Sequence, residues 1–207
     1  MALDLLGCTL VSLESGQRLS GRIVETEAYL DESDLASHAA IYQRGRVSLS
    51  REPGTIYMYR AYGIHMMFNI VARDVRPHGA VLVRAVEPID GISVMQDRRQ
   101  KRHVRDLASG PGKLCQAFGF SLEDHLRDIT TDGSLYIERG RSVDRVRVGP
   151  RVGITRSVDM HLRFFDVDSP CVSAHRRGID WQASRPLDAA DQPKRSTPGN
   201  DGDSPTR

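Results

Sequence analysis

Lysine is nearly missing from this chain: of 29 basic residues only Lys101, Lys113 and Lys194 are lysines, and the rest are arginine. Arginine binds phosphate oxygens with a forked geometry, but a general arginine bias on ordinary solvated faces fits the composition equally well. Cysteine is scarce too. Cys8, Cys115 and Cys171 lie in apolar surroundings with no CxxC or Cys/His ligand spacing. That pattern argues against a disulfide framework or a zinc site and for buried reduced thiols, so no metal and no other cofactor is expected. No apolar run approaches the roughly 20 residues needed to span a bilayer, and MALDLLGCTLVSLESG lacks the basic start and cleavage pattern of a secretory signal. A soluble cytoplasmic protein without membrane contact is the expectation. An excess of either charge is also lacking, with a net charge of +2. The distribution is uneven: Glu25, Glu27, Asp31, Glu32 and Asp34 crowd one segment, while RRQKRHVR (98 to 105) and RGRSVDRVRVGPRVGITR (139 to 156) are basic strips.

What is present begins with GRIVETEAYL at 21 to 30. In a strand, alternate residues face opposite sides, so Val24, Thr26 and Ala28 can face a core while Glu25, Glu27 and Tyr29 share the other face. Taken alone, the commoner arrangement for such a segment is an edge strand with a solvated acidic face. TIYMY (55 to 59) and GIHMMFNIVA (63 to 72) read as a hairpin joined by Arg60, Ala61 and Tyr62, with AVLVRAVEP (80 to 88) as a further strand. Ile89, Ile92 and Met95 have helical spacing. GPGKLCQAFGF places Pro111 near a helix start, with Leu114, Ala117 and Phe118 on one face. The GPGK is no phosphate loop, because the spacing to a preceding glycine and the following Ser or Thr are wrong.

Later strands are expected at SLYIERG (134 to 140), RVGIT (151 to 155) and LRFFDVD (162 to 168). With 39% hydrophobic residues the chain can bury one sizeable core. The fold class is therefore mixed α+β, a single domain over residues 1–177 around a curved, largely antiparallel sheet with short peripheral helices. From Gly178 to Arg207, Pro, Asp, Gly and Ser dominate, as in a disordered tail, within which Trp181 could dock. No internal repeat is visible.

IVETEAYLDESDLASH, YMYRAYGIHMMFN, VLVRAVEP, SGPGKLCQAFG, RVGI and LRFFDVDSPCVS, in this order and spacing, resemble the alkyladenine (3-methyladenine) DNA glycosylase family from about Leu5 to Ser173. The resemblance implies a compact domain that binds duplex DNA through the minor groove, flips a damaged purine into a pocket and hydrolyses its N-glycosidic bond. A monomer acting on double-stranded DNA at a bacterial nucleoid is implied as well. By motif, Glu27 would activate water, with Arg84 and the backbone carbonyl of Val152 helping to hold that water. Tyr29, His38 and Tyr59 would line the base pocket, Tyr62 would be the wedge that fills the vacated stack, and Asn69 would sit against the purine edge and disfavour guanine.

The chemistry of the residues agrees. Breaking a nucleoside C–N bond develops oxocarbenium character, which a carboxylate beside C1′ stabilises while taking a proton from water. An electron-deficient alkylated base can stack on the ring of Tyr29. Glu25 has no catalytic role in the resemblance and is expected to pair with an arginine. His38 read in isolation would more often be structural, and Tyr57, Tyr59 and Tyr62 could be strand-pairing aromatics. The motif register favours function for Tyr59 and Tyr62 and leaves Tyr57 in the core. Asn69 and Arg84 lie within apolar strands, where a buried polar group must be paired or used.

One stretch departs. Where the family typically carries Arg-Asn and then Met-Phe, this chain reads AAIYQRGRVSLSRE and is shorter, which is expected to weaken the pocket wall; a helix that precedes LDLLG in relatives is also expected to be missing. No motif presents a lysine for Schiff-base chemistry, so a combined glycosylase/lyase is disfavoured. The competing readings are a catalytically weak or silent damaged-DNA-binding protein of the same fold and an α+β domain for an unrelated small ligand.

Overall fold

Runs rich in β-branched and aromatic residues supply the strands of one antiparallel sheet. In the computed structural model, which describes residues 1–14, 16–73, 77–173 and 178–180, these are β1 (Thr9–Glu14), β2 (Gln17–Tyr29), β3 (Ile56–Ala61), β4 (His65–Val71), β5 (Ala80–Asp90), β6 (Leu135–Glu138), β7 (Val146–Gly149), β8 (Arg163–Asp166) and β9 (Ile179–Asp180). The order is β3-β4-β5-β2-β8-β7-β9, and β1 pairs with both β2 and β6. The expected α+β class, with a largely antiparallel sheet and short helices, is what forms.

The segment that carries Glu25 and Glu27 is not an edge strand. β5 covers one edge of β2 from Ser20 to Tyr29, while β1 and β8 share the other edge. Both faces are covered as well, and Val24, Glu25, Thr26 and Glu27 are all 0% exposed. The solvated acidic face is replaced by a buried one because arginines from β5 and β8 meet the carboxylates there. The β2–β5 register runs Ile23↔Val86, Glu25↔Ala85, Thr26↔Val83, so Val24 and Arg84 are each the extra residue of a bulge. Bulges bend a strand and re-aim side chains. Val24 accordingly packs with Ala85, Phe165, Cys171 and Val172 rather than in the main core.

Among the described residues, four short α-helices pack around the sheet: α1 (His38–Ile41), α2 (Gln43–Leu49), α3 (Ile92–Arg99) and α4 (Pro111–Phe118). The main core joins Ile23, Met58, Phe68 and Val83 of the sheet to Met95, Leu114 and Phe118 of α3 and α4. Pro111 stands at the start of α4 and Gly119, at φ 78°, ends it, as the residue types require.

Three expectations need correction. Ile89 belongs to β5, not to the helix that follows, because Gly91 at φ 72° separates the two. β3 continues through Ala61, so the hairpin tip is Tyr62–Gly63–Ile64. Residues 151 to 155 form a loop, and the strand lies earlier, at Val146–Gly149. β9 pairs with β7 just beyond the boundary drawn at 177/178. Trp181 and the remainder of the expected tail lie outside the described residues. Cys115 and Cys171 are buried and Cys8 half-buried, all three as free thiols. Among the described residues no helix is long and apolar enough to cross a membrane.

Candidate active site

Glu27 is held from two sides. The amide N–H of Val152 donates to its Oε1 at 2.7 Å and the Tyr29 hydroxyl donates to its Oε2 at 2.9 Å. Arg84 Nη1 stands 3.3 Å from the same Oε2. Glu27 itself has no exposed surface, but Tyr29, Arg84 and Val152 line an open cleft of about 750 Å³. Burial first, and then the negative charge of Glu27, push the Tyr29 phenol well above its ordinary pKa, so it remains a donor.

The aromatic residues form a wall of this cleft. His38 lies with its ring centroid 4.2 Å from that of Tyr59, and its Nδ1 shares a 2.8 Å hydrogen bond with the Tyr57 hydroxyl. Burial lowers the His38 pKa, which favours the neutral ring. Tyr57 is a core residue as expected, 8% exposed and packed with Ala39, Leu49, Val71 and Ala80, and it also orients His38. Asn69 lies one layer deeper, beside a small void that Tyr29, His38 and Tyr59 also line. Its Nδ2 donates to the carbonyls of Tyr57 at 3.0 Å and Met67 at 3.3 Å. Both neighbours are acceptors, so the amide turns its NH₂ to them and keeps its oxygen for another donor. Tyr62 stands at the hairpin tip on the cleft rim, 84% exposed.

A second layer supports these groups. Glu25 accepts from Arg84 Nε (3.1 Å), Arg163 Nε (2.6 Å), and the N–H and Oγ of Ser173 (2.8 and 2.9 Å). The expected arginine partner of Glu25 is thus a pair of arginines. Burial alone would raise its pKa, but Arg84, Arg163 and the Ser173 amide outweigh it and hold the carboxyl below its ordinary value. Arg151 binds Asp34 with both terminal nitrogens (2.5 and 2.8 Å), donates to the carbonyl of Ala28 (3.0 Å) and lies 4.6 Å over the Tyr29 ring. Asp34 also accepts from the amides of Leu30 and Ala36, which shapes the turn leading to His38.

Sequence reasoning missed Arg151, Asp34, Arg163 and Tyr42. Arg151 and Asp34 were read as members of charged segments and Arg163 only as part of a strand, and burial alone separates the three from solvated charge. Several strip arginines are in fact bound to carboxylates: Arg98 to Glu14, Arg145 to Asp168 and Arg147 to Asp180. Arg60 and Arg156 differ. Both are exposed on the cleft rim, and among the described residues no carboxylate lies within ion-pair distance of either.

The sequence model of the family described as methylpurine-DNA glycosylase (MPG) matches residues 1–170. The chain belongs to this family. The match spans β2, the Val152 loop and β8, and bears out the resemblance read from the motifs. Similar relatives in the family carry the name "Putative 3-methyladenine DNA glycosylase". That of Methanocella arvoryzae is 41% identical over 184 residues, covering 86% of this chain and 92% of the relative. That of Chlorobaculum parvum is 43% identical over 185 residues, covering 86% and 87%. That of Prosthecochloris aestuarii is 42% identical over 177 residues, covering 84% and 85%.

Proposed function

We propose that this chain is a monofunctional DNA glycosylase that draws an alkylated or deaminated purine out of duplex DNA and hydrolyses its N-glycosidic bond, leaving an abasic site. The observation that carries the reading is the buried carboxylate of Glu27, fixed by Val152 N–H and Tyr29 OH behind a cleft with an aromatic wall. A carboxylate has about four lone-pair sites, so two fixed donors leave room for a water. Water attacks C1′ and gives its proton to Glu27, while the electron pair of the breaking C–N bond leaves with the purine. Arg84, adjoining Glu27, and the Val152 carbonyl hold that water in this reading, and no cofactor is called for.

The extrahelical base stacks among Tyr29, His38 and Tyr59, meeting Tyr29 on the side away from Arg151. Asn69 discriminates at the purine edge, Tyr62 fills the gap in the stack, and Arg60 and Arg156 are available to backbone phosphates. The test is a duplex carrying one hypoxanthine or alkylated adenine, treated with alkali to reveal abasic sites. Excision by the wild type, lost by at least about a hundredfold in Glu27→Gln with lesion binding retained, is the expected result for a positioned general base. Binding without excision in the wild type would instead identify a silent damaged-DNA-binding protein, and absence of both would reject the reading.

A further inference from the structure

The stretch that departs from the family pattern, residues 39 to 52, still supplies side chains to one side of the cleft. It folds into α1 and α2, and Tyr42 is the extended residue between them, with φ −129° and ψ 128°. Its N–H donates to the carbonyl of His38 and its carbonyl accepts from the N–H of Arg46, both at 3.0 Å, so the link is fixed at each end. Gly45 permits the close packing, because a Cβ there would lie 2.6 Å from the His38 carbonyl oxygen. The Tyr42 ring meets the His38 ring edge-on, with centroids 5.0 Å apart. Tyr59, His38 and Tyr42 therefore form a continuous row of rings along the cleft.

Core packing does not account for the position of Tyr42, whose side chain is left largely in water: the residue is 56% exposed. Leu35, Ile41 and Tyr62 are likewise exposed on the same cleft. Single exposed apolar side chains are ordinary, but several gathered around one cleft mark a binding surface. We propose that Tyr42 is a further substrate-contacting residue, whose ring lies against the extrahelical purine nucleotide at the cleft mouth and extends the wall of His38 and Tyr59 by one ring. This rests on the glycosylase reading. A ring on a fixed backbone link and already resting against His38 contributes stacking area at reduced ordering cost, so it favours the flipped nucleotide over the stacked one.

The test compares wild type, Tyr42→Ala and Tyr42→Phe in single-turnover excision across a range of protein concentrations, alongside binding to the same duplex with the lesion replaced by a normal base. Tyr42→Ala is expected to raise the half-saturating concentration for the lesion duplex about tenfold, the scale of one lost base–aromatic stack. Affinity for the normal duplex should not follow, and Tyr42→Phe should recover most of the loss because the ring, not the hydroxyl, makes the contact. Unchanged half-saturation in Tyr42→Ala, while the wild type excises the base, would overturn the role of Tyr42 and leave the glycosylase reading standing. An equal loss on both duplexes would also overturn it, making Tyr42 a general DNA contact. No excision by the wild type would remove the glycosylase reading and this proposal with it.

Discussion

The amide of Val152 donates to Glu27 Oε1 at 2.7 Å, joining residues 125 apart in the chain. A loop that reads locally as a strand thereby closes on the C-terminal end of β2. The backbone donor at Val152 fixes one oxygen of the carboxylate, and Tyr29 fixes the other.

Removing only the second donor separates stacking from positioning. Tyr29→Phe keeps the ring but deletes the hydrogen bond to Glu27, and hydrogen bonds to charged groups contribute about 1.5–3 kcal/mol. Single-turnover excision should fall at least about tenfold while lesion affinity stays close to wild type. Equal excision would mean that Val152 and Arg84 alone orient the carboxylate.

Tyr62 carries backbone strain. Its φ is 51°, in the left-handed region that a tyrosine adopts at a cost of about 1–2 kcal/mol, and its side chain is almost wholly in solvent. Tyr62→Gly is expected to raise stability by about 1 kcal/mol and to weaken lesion binding by about 1–3 kcal/mol, since nothing then fills the stack. Tyr62→Ala should show the same binding loss without the gain in stability. Denaturant melts and lesion titrations of the two variants would expose a wrong assignment if Gly proved the less stable.

Glu25 predicts a pH dependence with a definite sign. Its folded pKa lies below the ordinary value of 4.5, so its contribution is complete above about pH 4.5 and is lost as pH falls through the folded value. Glu25→Gln leaves Arg84 and Arg163 buried beside a neutral partner, which costs about 3–5 kcal/mol at pH 7. Melting curves between pH 7 and pH 3 should show a steeper acid loss in the wild type than in the variant; parallel curves would mean that Glu25 is not the group that titrates.

Gly45 sets the distance between α2 and His38. Gly45→Ala places a Cβ 2.6 Å from the His38 carbonyl oxygen, and relieving that overlap should cost about 1–3 kcal/mol of stability. It should also move His38 against Tyr57 and Tyr59, reducing lesion affinity. Wild-type stability and affinity in this variant would show that α2 can shift without disturbing the pocket.

Much of this architecture was legible locally. The β3–β4 hairpin, β5 and the start of α4 follow from β-branched and aromatic runs and from Pro111, which are short-range properties. How the departing stretch folds was not legible from its residue types alone. AAIYQRGRVSLSRE lacks the family's residues, yet α1 and α2 bury Ala39 and Leu49 against Tyr57 and Val71 and rebuild the wall with Tyr42.

The sequence by itself determined that Glu25, Glu27 and Tyr29 share a face, because alternation along a strand depends only on the backbone. Nothing in that alternation distinguishes the two glutamates. Tertiary structure decided between them: Arg163 and Ser173, 138 and 148 residues away, join Arg84 in saturating Glu25, whereas Glu27 receives one amide, one phenol and the edge of Arg84 behind an open cleft. The paired bulges at Val24 and Arg84 let one arginine reach both carboxylates, and a bulge belongs to the pairing of two strands rather than to either strand's residues. Burial and hydrogen-bond partners come from segments far apart in the chain, so only the folded chain shows which carboxylate is saturated by its partners and which is left behind the cleft.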